Sequence, residues 1–218
     1  MLFRSDPQEV YDLASACALP AGAAPESLVP HDAGPIGAAR RERRMAIARP
    51  KVLLGIKDPA PALDWRARAE RASQTWVVLD RLFGAGSDLR EGMHRRGEVD
   101  DSLGASYMGD QTYAVATIGC ESEDPDAAEA AMRRALQQPV AFDEEHLELV
   151  RRRHLGGFVR SCENVRALAF AHAGEQLEGA PPFQGLEILR QLSVDAVMAR
   201  RSQLLAEERI ATAVTRQA

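Results

Sequence analysis

Long apolar runs and paired cysteines are both scarce in this sequence of 218 residues. Apolar runs such as VVL at 77–79 fall far short of the roughly 18 consecutive apolar residues that a membrane span needs. The N-terminal stretch MLFRSDPQEVYDL has no apolar core behind its early arginine, which argues against secretion. Cys17, Cys120 and Cys162 form no CxxC pair, so free thiols are predicted. These features predict a soluble, cytoplasmic protein without a membrane partner.

A positive net charge is absent as well, since the formal net charge at pH 7 is -5. Most of the arginine clusters lie on or beside predicted helices that also carry Asp or Glu, so ion pairs on solvated helix faces account for them. No aromatic residues are interleaved with the arginines, and nucleic acid is therefore not expected as a partner. The clusters are at 40–44, 95–96, 133–134, 151–153 and 200–201.

Histidines at metal-binding spacing are also missing. The stretch DEEHLELVRRRHLGG at 143–157 places His146 and His154 on a predicted helix among acidic residues, as a helical zinc site would. The two are eight residues apart, which separates them by about 12 Å along a helix axis. Helical zinc motifs place histidines four apart, and neither H-E-x-x-H nor H-x-x-E-H occurs in the sequence. His154 is instead predicted to be a partly buried packing residue, and no metal ligand is assigned.

Other catalytic motifs are incomplete. GAGSD at 84–88 lacks the third glycine of G-x-G-x-x-G, and LGASYMG has Met108 where G-x-S-x-G requires its last glycine. Cys120 ends a predicted strand, where packing is the favoured interpretation. Paired carboxylates such as Asp100 and Asp101 stand at solvent-like positions. The residues themselves therefore indicate no catalytic, cofactor-binding or metal site.

What the sequence does contain is a regular series of helix and strand signals. Asp6 and Pro7 begin a helix that runs to about Cys17, and the Pro-, Gly- and Ala-rich stretch 19–39 is typical of a linker. The order of elements predicts an α+β fold, a two-layer sandwich with a mainly antiparallel sheet and helices on one face. The later elements are a strand at 51–57, a helix at 64–83, a short helix capped by Ser87, a hairpin through Gly109-Asp110, a helix from Asp124, a long helix from Asp143 to beyond 180 with weak points at Gly156-Gly157, a helix capped by Ser193 and a strand at 209–215.

The helix at 64–83 carries large apolar residues at near-helical spacing. Trp76 and Phe83 belong to that pattern, and both are predicted to face the sheet. Burial of both aromatic rings would make this helix a main support of the core.

Several segments, in this order, resemble the insulinase or pitrilysin-type zinc peptidases, which include the mitochondrial processing peptidases. The likeness is to their C-terminal, non-catalytic domain and covers about residues 45–216. MLFRSDPQEVYDLA at the start of the chain is similar to the strand and helix that end the family's first domain. The other segments that carry the resemblance are ARPKVLLGIKD, RLFGAGSDLREGMHRRGEVDDSLGASY, YAVATIGCESEDPDAAEAAM, FDEEHLELVRRRHLGGFVRSCENVRALAF and LSVDAVMARRSQLLAEERIATAVT.

The resemblance implies a division of the chain into three parts. Residues 1–18 are expected to be a β-α remnant of a preceding domain, 19–44 a linker and 45–218 the C-terminal domain of the peptidase family. The chain would then begin inside a larger protein.

The family's zinc ligands, an H-x-x-E-H helix and a later glutamate, lie in the first domain and have no counterpart here. No catalytic residue carries over, no cofactor is expected in this chain, and zinc is expected in the partner domain. Some members hold substrate with an arginine and a tyrosine near the segment matched here by 113–130. Tyr113 is the tyrosine of that interval, but no arginine lies between Gln111 and Met132.

The function implied is the non-catalytic half of a clam-shell zinc peptidase, which forms one wall of a peptide-enclosing chamber. This chain alone is predicted to be inactive. The expected partners are a catalytic N-terminal half or a paralogous subunit, a peptide substrate and a second copy of the chain. The alternative is a peptide-binding or assembly module without peptidase activity, because fold does not imply function. A self-contained hydrolase is disfavoured by the incomplete motifs.

Overall fold

The computed structural model describes residues 6–17, 34–59, 64–110 and 112–218. The chain divides into two compact units, Met1–Pro30 and His31–Ala218. In the first unit, helix α1 spans Pro7–Ala16, and the Asp6 side chain accepts a hydrogen bond from the Gln8 N–H at 2.8 Å. The helix predicted to begin at Asp6 is thus confirmed. The predicted β-part at 1–5 lies outside the described residues, and the three-part division of the chain stays a prediction.

The second unit consists of one five-stranded sheet and seven α-helices among the described residues. A short 3-10 helix, Glu207–Arg209, precedes the final strand of the sheet. The strands are β1 Arg40–Met45, β2 Lys51–Lys57, β3 Gly104–Gly109, β4 Ala114–Glu121 and β5 Ile210–Gln217. The helices are α2 Trp65–Phe83, α3 Asp88–Arg95, α4 Pro125–Gln137, α5 Glu144–Ser161, α6 Val165–Leu177, α7 Gln184–Gln191 and α8 Val194–Leu204.

The sheet order is β1-β5-β2-β4-β3. Among the strand pairs of the described residues, β1–β5 alone is parallel, and the other three pairs are antiparallel. Alternate residues of the three central strands are buried under helices, and their neighbours on the opposite face are half-buried or exposed. The predicted α+β sandwich with helices on one face is therefore confirmed. None of the described helices is long and apolar enough to cross a membrane.

The strand β1 was not predicted. Residues 40–44 were predicted to belong to the linker, but residues Arg40–Met45 form an edge strand. All six residues are exposed, so the strand carries no apolar alternation from which it could be recognised. Its backbone pairing with β5 holds it in place, and that partner lies about 170 residues away in the sequence.

The core lies between the sheet and helices α2, α4 and α8. Leu54, Ile56 and Ile118 of the sheet have no exposed surface, and Phe83 of α2 is only 1% exposed. The prediction that Phe83 faces the core is confirmed. The prediction for Trp76 is wrong, since 40% of that residue is exposed. The buried face of α2 is centred on Val78, Leu79 and Leu82, so the indole lies to one side of it.

Side-chain caps position the helices where the sequence predicted. Asp64, Ser87, Asp124, Asp143 and Ser193 each accept a hydrogen bond from a backbone N–H of the following first turn. These caps satisfy donors that a helix start leaves free. The antiparallel β3–β4 hairpin is also confirmed, with the Asp110 N–H donating to the Tyr113 carbonyl at 2.7 Å.

The single long helix predicted from Asp143 is wrong. The structure has two helices, α5 and α6, and the break lies at residues 162–164 rather than at the glycines. Gly156 and Gly157 remain helical. The side chain of Asn164 accepts a hydrogen bond from the Ala167 N–H at 3.1 Å and caps the start of α6.

Candidate functional site

The face of the sheet opposite the helices is the open face. Residues are assigned to this face by their alternation along each strand, because the residues between the buried ones point away from the helices. Most of its side chains are small or polar, so the backbone lies close to the surface. Its members are Arg41, Arg43 and Met45 of β1, Ala211, Ala213 and Thr215 of β5, Lys51, Leu53, Gly55 and Lys57 of β2, Val115, Thr117, Gly119 and Glu121 of β4, and Gly104, Ser106 and Met108 of β3.

A groove of about 610 Å³ crosses this face. One cross-strand row forms its floor, with Ala213, Leu53, Gly119 and Gly104 on adjacent strands. A Cβ added at Gly119 would lie 2.7 Å from the Val52 carbonyl oxygen and 2.8 Å from Leu53 Cδ1. The floor therefore depends on glycine at this position, and Leu53 lies across it as the one large side chain of the row.

Charge is distributed unevenly over the open face. Lys51 forms an ion pair with Glu121 at 2.9 Å, so these two charges are matched within the face. At the β1 edge, the side chains of Arg41 and Arg43 form no hydrogen bond or ion pair with any described residue. On the opposite, helix-facing side of the same strand, Arg40 pairs with Asp126 at 2.7 Å and Glu42 with Arg216 at 2.7 Å. Arg40 and Glu42 are thus matched by opposite charges, whereas Arg41 and Arg43 on the open face and Arg44 on the helix-facing side have no ion pair with a described residue.

An ion cluster lies behind the sheet, at the end of β2. The Asp58 side chain is fully buried and accepts hydrogen bonds from Arg71 Nε at 2.8 Å, from Tyr107 Oη at 2.7 Å and from Arg200. Arg200 also donates to Thr75 Oγ1 at 2.8 Å. The cluster joins β2, α2, β3 and α8, which fixes the layer of helices behind the groove.

The pKa values in this cluster follow from burial and from these contacts. Burial by itself raises the pKa of a carboxyl group, but the hydrogen bonds from two guanidinium groups and a phenol outweigh it and lower the pKa of Asp58. Burial, and then the hydrogen bond to Asp58, raises the pKa of Tyr107 to about 12. Asp58 is therefore charged and Tyr107 a neutral donor at neutral pH, which suits a structural role.

The residues singled out in the sequence do not come together as a zinc site. Among the described residues, no group of three or more His, Cys, Asp or Glu could hold a metal ion. His146 is half-buried with its Nε2 3.6 Å from Asp80, and burial lowers its pKa. His154, predicted as a packing residue, is exposed and lines an apolar groove of about 630 Å³ beside Trp76 and Phe158. The described residues therefore do not fit a zinc ion.

The cysteines are free, as predicted. Cys17 and Cys162 are exposed, whereas Cys120 is buried on the helix-facing side of β4. Burial, with a smaller contribution from Asp100, raises the pKa of the Cys120 thiol to about 11. This thiol stays protonated at neutral pH and is a packing group rather than a nucleophile.

Tyr113, at the end of the hairpin loop, is 40% exposed. Neither the Asp58 cluster nor the open-face arginines, which lack a partner among the described residues, was predicted from the sequence. Asp58 and Arg200 are 142 positions apart, so no local pattern links them.

Solved structures of other proteins share the fold of this chain. A solved M16-like peptidase from Alicyclobacillus acidocaldarius superposes with a TM-score of 0.75 and 22% identity, over 83% of this chain and 44% of that one. This chain has the fold of the M16-like peptidases. The M16-like fold is shared by an inactive peptidase domain of a zinc protease from Bordetella parapertussis, with a TM-score of 0.66 and 16% identity over 81% of this chain and 95% of that one.

A protein related in sequence supports the likeness to the M16-like peptidases. The curated zinc protease YmfH of Bacillus subtilis, described as uncharacterized, is 22% identical over 171 residues. The match covers 78% of this chain but 40% of YmfH, so the chain spans less than half of that relative. No family model matches the sequence. The peptidase resemblance predicted from the sequence segments is confirmed.

Proposed function

We propose that this chain is the non-catalytic C-terminal half of a zinc peptidase, and that its open face forms one wall of a peptide-enclosing chamber. The observation that carries the proposal is a groove of about 610 Å³ on a sheet face that no described helix covers, in a chain with the M16-like fold. Neighbours with this fold include a domain described as inactive, which supports a non-catalytic role.

The surface of the groove supports contact with peptide rather than with a compact small molecule. Gly104 and Ala213 are exposed and leave the sheet backbone accessible on either side of Leu53, so that an extended chain can approach closely. The hydroxyl groups of Ser106 and Thr117, 2.7 Å apart, provide polar contacts beside that floor. Such a wall encloses and orients substrate without contributing a reacting group, and orientation by itself contributes strongly to rate.

Zinc would come from the other half. A catalytic zinc needs three protein ligands around one ion, and the described residues offer no such group. The match to less than half of YmfH supports a partner of similar size, either a catalytic N-terminal half or a paralogous subunit. A cytoplasmic location and pairing with a second copy of the chain stay predictions.

The proposal is tested by mixing the purified chain with a candidate zinc-bearing half. Light scattering after size exclusion measures the complex, elemental analysis measures zinc in each chain, and a fluorogenic peptide measures cleavage. We expect a one-to-one complex, no stoichiometric zinc in this chain, and higher peptidase activity in the mixture than in the zinc-bearing half alone.

A matched pair of variants tests the role of the open face. Ala213→Trp fills the groove on the open face, whereas Ala130→Trp adds the same side chain at an exposed position of α4. We expect Ala213→Trp to abolish the gain in activity without preventing the complex, and Ala130→Trp to change neither. One zinc per isolated chain, with hydrolysis abolished by a chelator, would refute the proposal. Peptide binding without any complex would favour the alternative, a module without peptidase activity.

A further inference from the structure

We propose that β1 takes an acidic peptide as an added sixth strand of the sheet. This inference rests on the proposed role in enclosing peptide and names the chemical class of that peptide. The surface concerned is the basic edge, defined as the Arg41 and Arg43 side chains together with the outward backbone groups of Arg40, Glu42 and Arg44.

The backbone of β1 is available for pairing along one side. The carbonyls of Ala39 and Met45 accept hydrogen bonds from β5, at 2.8 Å from the Thr212 N–H and 3.1 Å from the Ala218 N–H. Because successive residues of a strand direct these groups to opposite sides, the odd-numbered residues pair with β5. The N–H and C=O groups of Arg40, Glu42 and Arg44 therefore point to the free edge, where no described strand pairs with them. Such an edge is a template for an additional strand.

The charge of the basic edge selects the kind of strand. Arg41 and Arg43 project from the open face, and neither has a partner among the described residues. A sixth strand would lie roughly 4.8 Å from β1, which brings carboxylates at alternate peptide positions opposite the two guanidinium groups. On the helix-facing side of β1, Arg40 and Glu42 are already paired within the chain, whereas Arg44 has no ion pair with any described residue. The open face of β1 thus has two arginines without a partner among the described residues, and the helix-facing side has one.

The net charge of the chain does not cancel this attraction. Although the formal net charge is -5, interactions between exposed charges are screened beyond about 8 Å at physiological salt. The nearest carboxylate on the open face, Glu121, is three strands away from β1 and pairs with Lys51. A peptide at the β1 edge therefore experiences the two arginines more strongly than the distant acids.

The experiment measures fluorescence anisotropy of a labelled nine-residue peptide with glutamate and valine in alternation, added to the full chain. A lysine–valine peptide and a single-stranded oligonucleotide of equal length are compared with it. We expect the acidic peptide to bind, with an affinity that falls as salt is raised, and the lysine peptide not to bind. Tighter binding of the oligonucleotide would overturn the assignment to an acidic peptide.

Two pairs of variants separate charge from strand addition. Arg41→Glu/Arg43→Glu should weaken binding by about tenfold or more, whereas Arg95→Glu/Arg160→Glu, with the same change in net charge at exposed positions, should leave it within about twofold. Arg44→Pro removes an outward N–H that does not pair with β5, and should weaken binding by roughly two- to tenfold relative to Arg44→Ala. Circular dichroism and urea unfolding check that each variant is folded.

Equal binding by Arg44→Pro and Arg44→Ala, or by the two charge-reversal variants, would overturn the proposal. The outcomes also separate it from the proposed function. A complex with the zinc-bearing half, together with no binding of the acidic peptide, would refute the basic edge alone. Binding of the acidic peptide at β1 without any such complex would refute the chamber wall and leave the basic edge in place.

Discussion

Leu53 and Leu54 are neighbours on β2, but 46% of Leu53 is exposed and none of Leu54 is. The helix-facing side of the sheet buries branched apolar residues and, at the end of β2, an ion cluster with a fully buried carboxylate. The open face has glycine, alanine, serine and threonine around one groove, with unpaired arginines at its edge. In β2, β4 and β5, one side of the strand is thus buried against the helices, and the other is half-buried or exposed. Substitutions on the two sides should differ accordingly.

The largest effect is expected at the buried cluster behind the sheet. Asp58→Ala leaves Arg200 buried without its carboxylate and should lower the free energy of unfolding by about 3–5 kcal/mol, the usual cost of breaking a buried ion pair. Urea unfolding monitored by circular dichroism measures it. Asp101→Ala, at a fully exposed side chain, is the control and should leave the unfolding midpoint unchanged. A midpoint for Asp58→Ala equal to that of the wild type would mean that the cluster does not support the fold.

The adjacent leucines give the most direct test of the two faces. Leu54→Ala should lower the free energy of unfolding by about 2–5 kcal/mol, because it leaves a cavity in the core. Leu53→Ala removes the same atoms from the open face and should cost less than half as much. The same urea titration compares them. Similar costs would contradict the comparison, since they would require the open face to be packed as tightly as the core.

The smallest effects are expected at two glycines. Gly119→Ala puts a Cβ 2.7 Å from the Val52 carbonyl and should destabilise by about 1–3 kcal/mol, as overpacking does. Gly156→Ala, on α5 with no atom within 4 Å of the new Cβ, should stabilise by about 0.5–1 kcal/mol through helix propensity. Thermal unfolding distinguishes the opposite signs. If Gly119→Ala were neutral, the floor of the groove would not depend on glycine.

The sequence predicted those helices and strands whose positions depend on residues close together in the chain. The caps at Asp64, Ser87 and Asp124 are two- to four-residue patterns, and the hairpin combines turn residues with two short runs typical of strands. The break between α5 and α6 also had such a signal, because Asn164 caps the second helix. The weak point was predicted at Gly156 and Gly157 instead, but an exposed helix tolerates glycine at a cost of about 1 kcal/mol each.

The rest depends on contacts between distant residues. The exposed strand β1 has a hydrogen-bonding partner but no apolar pattern, and Asp58 and Arg200 meet only after four elements have packed. Trp76 was misplaced because its spacing relative to Phe83 fits one helix face, whereas the buried face of α2 is centred a short rotation away. For the candidate site, the resemblance implied a chamber wall, which stays a prediction, and it could not indicate which side chains lie on the open face, because that depends on register.

The position of β5 has a consequence for how this sheet assembles. β5 lies between β1 and β2, although it spans Ile210–Gln217 and its two neighbours precede residue 58. During synthesis, β2, β4 and β3 can pair once residue 121 has emerged, but β1 has no place in the sheet until residue 217 follows. Pairings of such long sequence separation form slowly. On the ribosome, the nascent chain therefore exposes one edge of β2 for the time needed to make nearly a hundred further residues, and that edge is open to aggregation or to chaperone binding.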